Sequence, residues 1–181
     1  MNNFTILAQN SNDDYVKQAY LCALSIKSTN SNSNVCLITN EKVKEKYKQE
    51  FDDIVDFPWG DHAKEHEWKI HNRWKIYHAT PYKEGTVVLD SDMLVLQDLS
   101  TWFEFLKKYE LYYTSKTYTY RGELISDSIY RQVFSKYDIP DLFSGFHYFS
   151  ENDFAHEFYK WMEMITNNYH IEIPIINMSS V

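Results

Sequence analysis

The stretch Thr86-Val87-Val88-Leu89-Asp90-Ser91-Asp92-Met93-Leu94-Val95-Leu96 decides how this chain is read. A short apolar run that ends in two carboxylates one residue apart reads as a buried strand with its charge pushed to the carboxyl end. In open α/β sheets that end faces the ligand crevice. Two carboxylates at this spacing can share one hard divalent cation, and an all-oxygen shell suits Mg²⁺ or Mn²⁺. A cation held there would neutralise a diphosphate leaving group, which an acidic chain has little other means of accepting. The competing reading is a strand-end turn with two solvated Asp side chains, since Asp favours turns. The metal reading requires both side chains to open on a crevice, unclamped by guanidinium groups.

Upstream of Thr86 the patterns alternate. Phe4 to Ala8 is an apolar strand ending in the polar cluster Gln9 to Asp14, and a helix follows over Tyr15 to Ser28. In that helix Val16, Ala19, Tyr20, Ala23, Leu24 and Ile26 recur at three- and four-residue spacing. A Ser/Asn loop leads to the strand Val35 to Thr39, a charged surface helix over Lys42 to Glu50, and a third strand over Asp53 to Phe57. The turn Pro58-Trp59-Gly60 precedes a helix over Glu65 to Ala79 that is predicted to point Trp68, Trp74 and Ile76 inward.

Downstream, the pattern predicts a helix over Leu99 to Lys108, a strand over Leu111 to Ser115, and an edge segment over Thr117 to Tyr120. A helix over Ser126 to Tyr137, a strand over Phe143 to Phe149, and a helix over Glu151 to Asn168 with Ser150 as its N-cap complete the series. Alternating strands and helices predict an α/β fold: a three-layer α/β/α sandwich around a mostly parallel, Rossmann-like sheet, built as a single domain over residues 1–181.

Eighteen Lys and Arg against 26 Asp and Glu leave a formal net charge of −8, so the chain has no electrostatic grip on nucleic-acid phosphates or an anionic membrane. Hydrophobic residues at 44% and charged residues at 24% exclude general disorder. Cys22 and Cys36, the two cysteines, read as small buried side chains rather than a disulfide framework. The N-terminus lacks the cationic start of a signal peptide, and no apolar run reaches the ~18 residues of a membrane span. A cytoplasmic protein without a transmembrane segment is the expectation. Seven histidines lack the compact spacing of a zinc site, and Tyr112, Tyr113, Tyr118 and Tyr120 fit either a sugar-acceptor groove or an ordinary strand edge.

Taken together, the strand ending in Asp90-Ser91-Asp92 and the continuation Met93 to Leu99 resemble the signature of GT-A glycosyltransferases, and within them glycosyltransferase family 8, the glycogenin-like group. The opening FTILAQNSNDDYVKQAYLCALSIKST is similar to that family's first strand, its turn and its helix. There the resemblance implies that Ala8, Gln9, Asn12 and Tyr15 hold the nucleotide base, with Tyr15 stacked on uracil. NRWKIYHAT resembles the family's donor-contacting helix, with Arg73 and Lys75 as candidates to offset phosphate or fix Asp90. FSGFHYF resembles the strand near the donor sugar, with Ser144 and Gly145 matching, and Ser91 lies within the acidic triplet. Asp90 and Asp92 are the implied catalytic and metal-binding residues, with Mn²⁺ or Mg²⁺ as cofactor.

The resemblance implies transfer of a sugar from a nucleotide-diphosphate donor, a UDP-sugar, to a carbohydrate or other hydroxyl acceptor, with retention of configuration. The chain departs from the family at Phe143, where an Asn stands; after the last helix, where an Asp-Gln pair is missing; and near its end, where a His ligand lacks a match and His170 sits too early. Those departures imply either a minimal enzyme, a domain lacking its acceptor-binding part, or a nucleotide-sugar-binding module without catalysis. Phosphatases of the haloacid dehalogenase group also open with a strand and Asp-x-Asp. Their motif continues with Thr or Val two residues on, where this chain has Leu94.

Overall fold

The structure, a computed structural model, describes residues 1–11, 13–62, 69–119, 121–124 and 131–168. Asn12, His66, Trp68, Tyr120, His170, the start of the expected 126–137 helix and the tail from Ile171 lie outside the described residues.

Six strands form one sheet: β1 (Asn2–Leu7), β2 (Ser33–Ile38), β3 (Asp53–Val55), β4 (Thr86–Asp90), β5 (Leu111–Thr114) and β6 (Phe143–Phe149). Their order is β3-β2-β1-β4-β6-β5. The first four are parallel, whereas β6 runs antiparallel to both β4 and β5. The mostly parallel sheet expected from the sequence is therefore present, closed on one side by a reversed strand.

Both faces of the sheet are covered, which is why its central strands read as unbroken apolar runs. Alternate residues go to opposite layers, as the two-residue period of a strand demands. Phe4, Ile6, Val35, Leu37, Val87 and Leu89 pack under α1 (Tyr15–Thr29) and α4 (Ser100–Leu106). Cys36, Ile38, Val88 and Phe149 pack on the other face, against Trp74, Ile76 and Tyr77 and against Ala155 and Tyr159 of α6 (Asp153–Asn167). Three layers result. Cys22 and Cys36 are free and buried, as expected. Burial pushes the Cys22 thiol up to about 12, with the charges of Asp92 and Asp90 adding to it, so it is an inert core residue.

Several boundaries shift from the sequence reading. The 42–50 segment yields only the short α2 (Glu45–Lys48): Lys44 is extended at ψ 139, and Val43, Tyr47 and Phe51 reach the core without a long helix between them. The described part of the 65–79 segment is a 3₁₀ helix over Lys69–Lys75 that passes into α3 (Ile76–Ala79). The described part of the 126–137 segment contains α5 (Gln132–Lys136). The N-cap of α6 is Asn152, whose side chain accepts from the Ala155 amide at 2.8 Å. Ser150, the expected cap, instead accepts from the Asn152 amide.

Gly85 leads into β4 at φ 134, and a Cβ there would overlap the hydroxyl of Tyr148, which is buried. Gly122 also has positive φ, 80°, but open space around it. Gly85→Ala should cost about 3 kcal/mol, backbone strain plus overpacking, and Gly122→Ala about 1 kcal/mol from strain alone. Urea unfolding of the two variants measures the difference; equal losses would rule out the steric contribution of Tyr148.

Candidate functional site

The sheet order reverses at β1 and β4. From β1 the chain winds outward through β2 and β3, then returns to lay β4 on the other side of β1. Such a switch point leaves a crevice beyond the carboxyl ends of the two strands. Leu7 of β1 pairs with Asp90 of β4, so Ala8 and Gln9 face the acidic triplet across that opening. Because β6 is antiparallel, its first residues, Phe143 to Gly145, arrive at the same end.

Asp90 is partly exposed and Asp92 exposed, while Ser91 between them is buried. The turn is closed by the Met93 amide donating to the Asp90 carbonyl at 3.2 Å. Val95 and Leu99 are then tied to α1: the Ser25 hydroxyl accepts from the Val95 amide at 2.9 Å, and the Asn30 side chain accepts from the Leu99 amide at 2.7 Å. The triplet therefore sits on a fixed base.

Arg73 spans the crevice. One guanidinium nitrogen donates to Asp90 Oδ1 at 2.5 Å and the other to the Ser144 hydroxyl at 3.0 Å. Asp90 is thus engaged by a guanidinium, contrary to the requirement set by the sequence reading, whereas Asp92 makes no hydrogen bond to any described residue. Lys75 does not join Arg73. A 3₁₀ helix turns each successive side chain by a third of a circle, so Arg73 faces the crevice, Trp74 enters the core and Lys75 points beneath the 58–60 turn. Lys75 is fully buried and its ammonium donates to the Gly60 carbonyl; burial lowers its pKa.

At the positions the resemblance assigns to the nucleotide base, Ala8 is buried and its amide donates to the Ile38 carbonyl. Gln9 is 4% exposed. Its carbonyl oxygen accepts from the Asn72 amide at 2.7 Å, and Asn72 also donates to Asp61 Oδ1 at 2.7 Å. Gln9 Nε2 is buried without a partner. Leaving such a buried donor unpaired costs about 1–3 kcal/mol. Tyr15 is half-buried at the start of α1, on the core cluster of that face. The 3₁₀ residue Asn72 and its link to Gln9 have no signature in the sequence.

Ser144 and Gly145 belong to an irregularity in β6. Tyr113 pairs with His147 but Thr114 pairs with Phe143, so three residues of β6 lie between successive pairs with β5. The Thr114 hydroxyl bonds the carbonyls of Phe143 and Phe146 at 3.1 and 3.2 Å, and His147 Nδ1 lies 2.8 Å from the Ser144 carbonyl. A carbonyl only accepts, so Nδ1 carries the proton. A Cβ on Gly145 would come within 2.9 Å of Asp90 Oδ2 and 2.6 Å of Phe143 Cε1, which reserves this position for glycine. Tyr113 stacks on the His147 ring, while Tyr112 turns to the opposite face against Phe105 and Tyr109, so these two tyrosines do not line one groove.

Among the described residues no three His, Cys, Asp or Glu side chains converge as metal ligands, and none of the helices is long and apolar enough to cross a membrane. A groove of about 510 Å³ lies at the opposite, amino-terminal end of the sheet, lined by Asn2, Ser33 and Ser100 among others, away from the acidic triplet.

No protein-family model matches the chain, and no curated protein matches it. Solved structures do. The glycosyltransferase GlyE of Streptococcus pneumoniae TIGR4 superposes with a TM-score of 0.60 at 16% identity, over 94% of this chain and 40% of its own. The fold is GT-A-like. The galactosyltransferase LgtC, solved with donor and acceptor sugar analogues, superposes at 0.55 and 14% identity, over 92% of this chain and 69% of its own. The mannosyltransferase Ktr4p of S. cerevisiae superposes at 0.52 and 10% identity, over 93% and 62%. At these identities the likeness is one of fold, and the chain spans two fifths of GlyE's length.

Burial pushes the His147 imidazole from 6.5 down to about 4; its bond to Ser144 and the charge of Asp90 oppose the fall, and that of Arg73 adds to it. Between those values the unfolded chain binds more protons, so the stability associated with neutral His147 is complete above pH 6.5 and lost as pH falls toward 4. Urea unfolding should show about 2 kcal/mol of this loss between pH 7 and pH 5. His147→Phe should abolish that increment; an unchanged pH slope in the variant would contradict it.

Proposed function

We propose that this chain binds a nucleoside-diphosphate sugar, UDP-linked, across the β1–β4 crevice and transfers the sugar to a hydroxyl acceptor, with Mn²⁺ or Mg²⁺ bound at the acidic triplet. The observation that carries the reading is the meeting, at one switch point, of an uncommitted Asp92, an Arg73 guanidinium and the orphaned Gln9 donor. Those three groups match a cation, a diphosphate and a base carbonyl. The fold shared with GlyE, LgtC and Ktr4p supports transfer of a sugar, and family 8 with its retaining outcome is the finer assignment we favour.

The donor set fits a hard cation in part. Asp92 offers a free carboxylate; the bond from Arg73 leaves the condition of two unclamped carboxylates unmet, and Asp90 keeps only its second oxygen for a cation. Mg²⁺ and Mn²⁺ accept one or two carboxylates and complete their shells with water and substrate phosphates, so two protein ligands suffice. When bound, the cation would supply charge neutralisation for the diphosphate. Arg73 supplies fixed positive charge to the same group, already oriented by Ser144 and Asp90, and preorganised charge of this kind is the largest contribution such a site can make. Gln9 Nε2 would donate to a uracil carbonyl while Tyr15 stacks on the ring. A second reading, a nucleotide-sugar-binding module without transfer, is favoured by Phe143 in the place of the family's Asn and by the missing third ligand among the described residues.

Calorimetry of UDP with and without Mn²⁺ tests the reading. Mn²⁺ should strengthen UDP binding, and Asp92→Asn should remove at least tenfold of that gain; an unchanged metal-dependent affinity would remove Asp92 from the site. Slow hydrolysis of a UDP-sugar then distinguishes the enzyme from the module, which would bind without turnover.

A further inference from the structure

His147 is the least expected residue near the crevice. It is 3% exposed, lies on a strand whose other buried side chains are Tyr148 and Phe149, and stays neutral at physiological pH. An apolar side chain would fill the same space without desolvating an imidazole, so the ring's hydrogen bond is the feature that distinguishes it. That bond runs from Nδ1 to the Ser144 carbonyl, inside the three-residue bulge of β6. Tyr113 fixes the plane of the ring, stacked at 4.7 Å and 3°. Thr114 ties the two carbonyls that flank the bulge. The far side of the bulge then presents the Ser144 hydroxyl to Arg73 and the bare Cα of Gly145 to Asp90.

We propose that His147, assisted by Thr114, is a positioning residue of the donor site: it clasps the β6 bulge so that Ser144 aims Arg73 at the diphosphate. The proposal rests on the reading of the crevice given above. The chain of contacts is continuous, from imidazole to Ser144 carbonyl, from Ser144 hydroxyl to guanidinium, and from guanidinium to Asp90. Bulges recur beside active sites because they re-aim side chains, and this one re-aims Ser144. Arg73 has five donors and several ways to satisfy them; the second bond to Ser144 selects one orientation. Without the clasp, Arg73 keeps its charge and its bond to Asp90 but loses the fixed direction in which its remaining donors point.

The test compares His147→Phe, which keeps the stacked ring and removes the donor, with His147→Asn, whose amide nitrogen takes the place of Nδ1, and His147→Gln, whose amide reaches toward Nε2 instead. Calorimetry of UDP with Mn²⁺ should show at least tenfold weaker binding for the Phe and Gln variants and recovery to within about threefold for Asn. A plain packing role would not rank Asn above Phe. Equal affinities in all four proteins would overturn the proposal, as would Asn binding no better than Phe. Should the wild-type chain not bind UDP, the reading of the crevice fails by itself. The clasp is then judged on the free protein by ¹⁵N NMR of the Arg73 guanidinium: restricted rotation in wild type and His147→Asn with fast rotation in His147→Phe supports it, and identical rotation in all overturns it. Thr114→Val opens the other side of the bulge and serves the same comparison where a His147 variant does not fold.

Discussion

Two parallel strands, β1 and β4, lie side by side with apolar layers over both faces, and this burial dictates where polar chemistry can occur. Thr5 and Thr86, the fully buried polar residues of these strands, are satisfied by each other, by Thr80 and by the Asn3 carbonyl. A charge has no place until the strand ends. Asp90 is the first position of β4 that leaves the buried interior, and Ala8 and Gln9 follow the matching end of β1. The reversal of sheet order at this pair leaves space beyond the strand ends, and among the described residues the acidic triplet opens on that space.

At the strand end, among the described residues, the Arg73 guanidinium stands against the carboxylates of the acidic triplet. Arg73 holds Asp90 from the side and leaves Asp92 free. A lysine in the same place would make a point contact, whereas the planar guanidinium reaches Asp90 and Ser144 along two defined directions at once. Lys75, two residues on, illustrates the alternative: its ammonium is buried against the Gly60 carbonyl and the rings of Phe57 and Trp74, and it supports the turn that carries Trp59. The 3₁₀ winding, not charge, separates the two fates. Trp59, at φ 59, is held in a left-handed conformation that bulky residues avoid and stacks on Trp74 at 5.5 Å, so this turn is fixed from both sides.

Much of the architecture was legible because burial leaves a periodic trace. The runs around Phe4, Val35 and Val87 carry apolar residues toward both faces since both are covered, and α1 shows three- and four-residue spacing since one face is covered. The acidic triplet at the end of β4 was legible for the same reason, as charge appears where burial stops. Short elements left weaker traces. Val43, Tyr47 and Phe51 have helical spacing, yet an extended Lys44 brings Val43 inward without a helix. Ser150 and Asn152 are both acceptable caps, and which of them bonds the Ala155 amide depends on the path of the chain leaving β6.

The sequence by itself determined the layered α/β fold, the central strand and the placement of Asp90 and Asp92 at its end, since each follows from local alternation of apolar and charged side chains. Only the tertiary structure decided that Arg73 and not Lys75 meets Asp90, that Gln9 keeps an unpaired donor beside Asn72, and that His147 clasps the bulge carrying Ser144. Those relations join residues as much as 63 positions apart through a crossover, a 3₁₀ turn and a reversed strand. Their geometry is fixed by packing between layers, which no local pattern along the chain encodes.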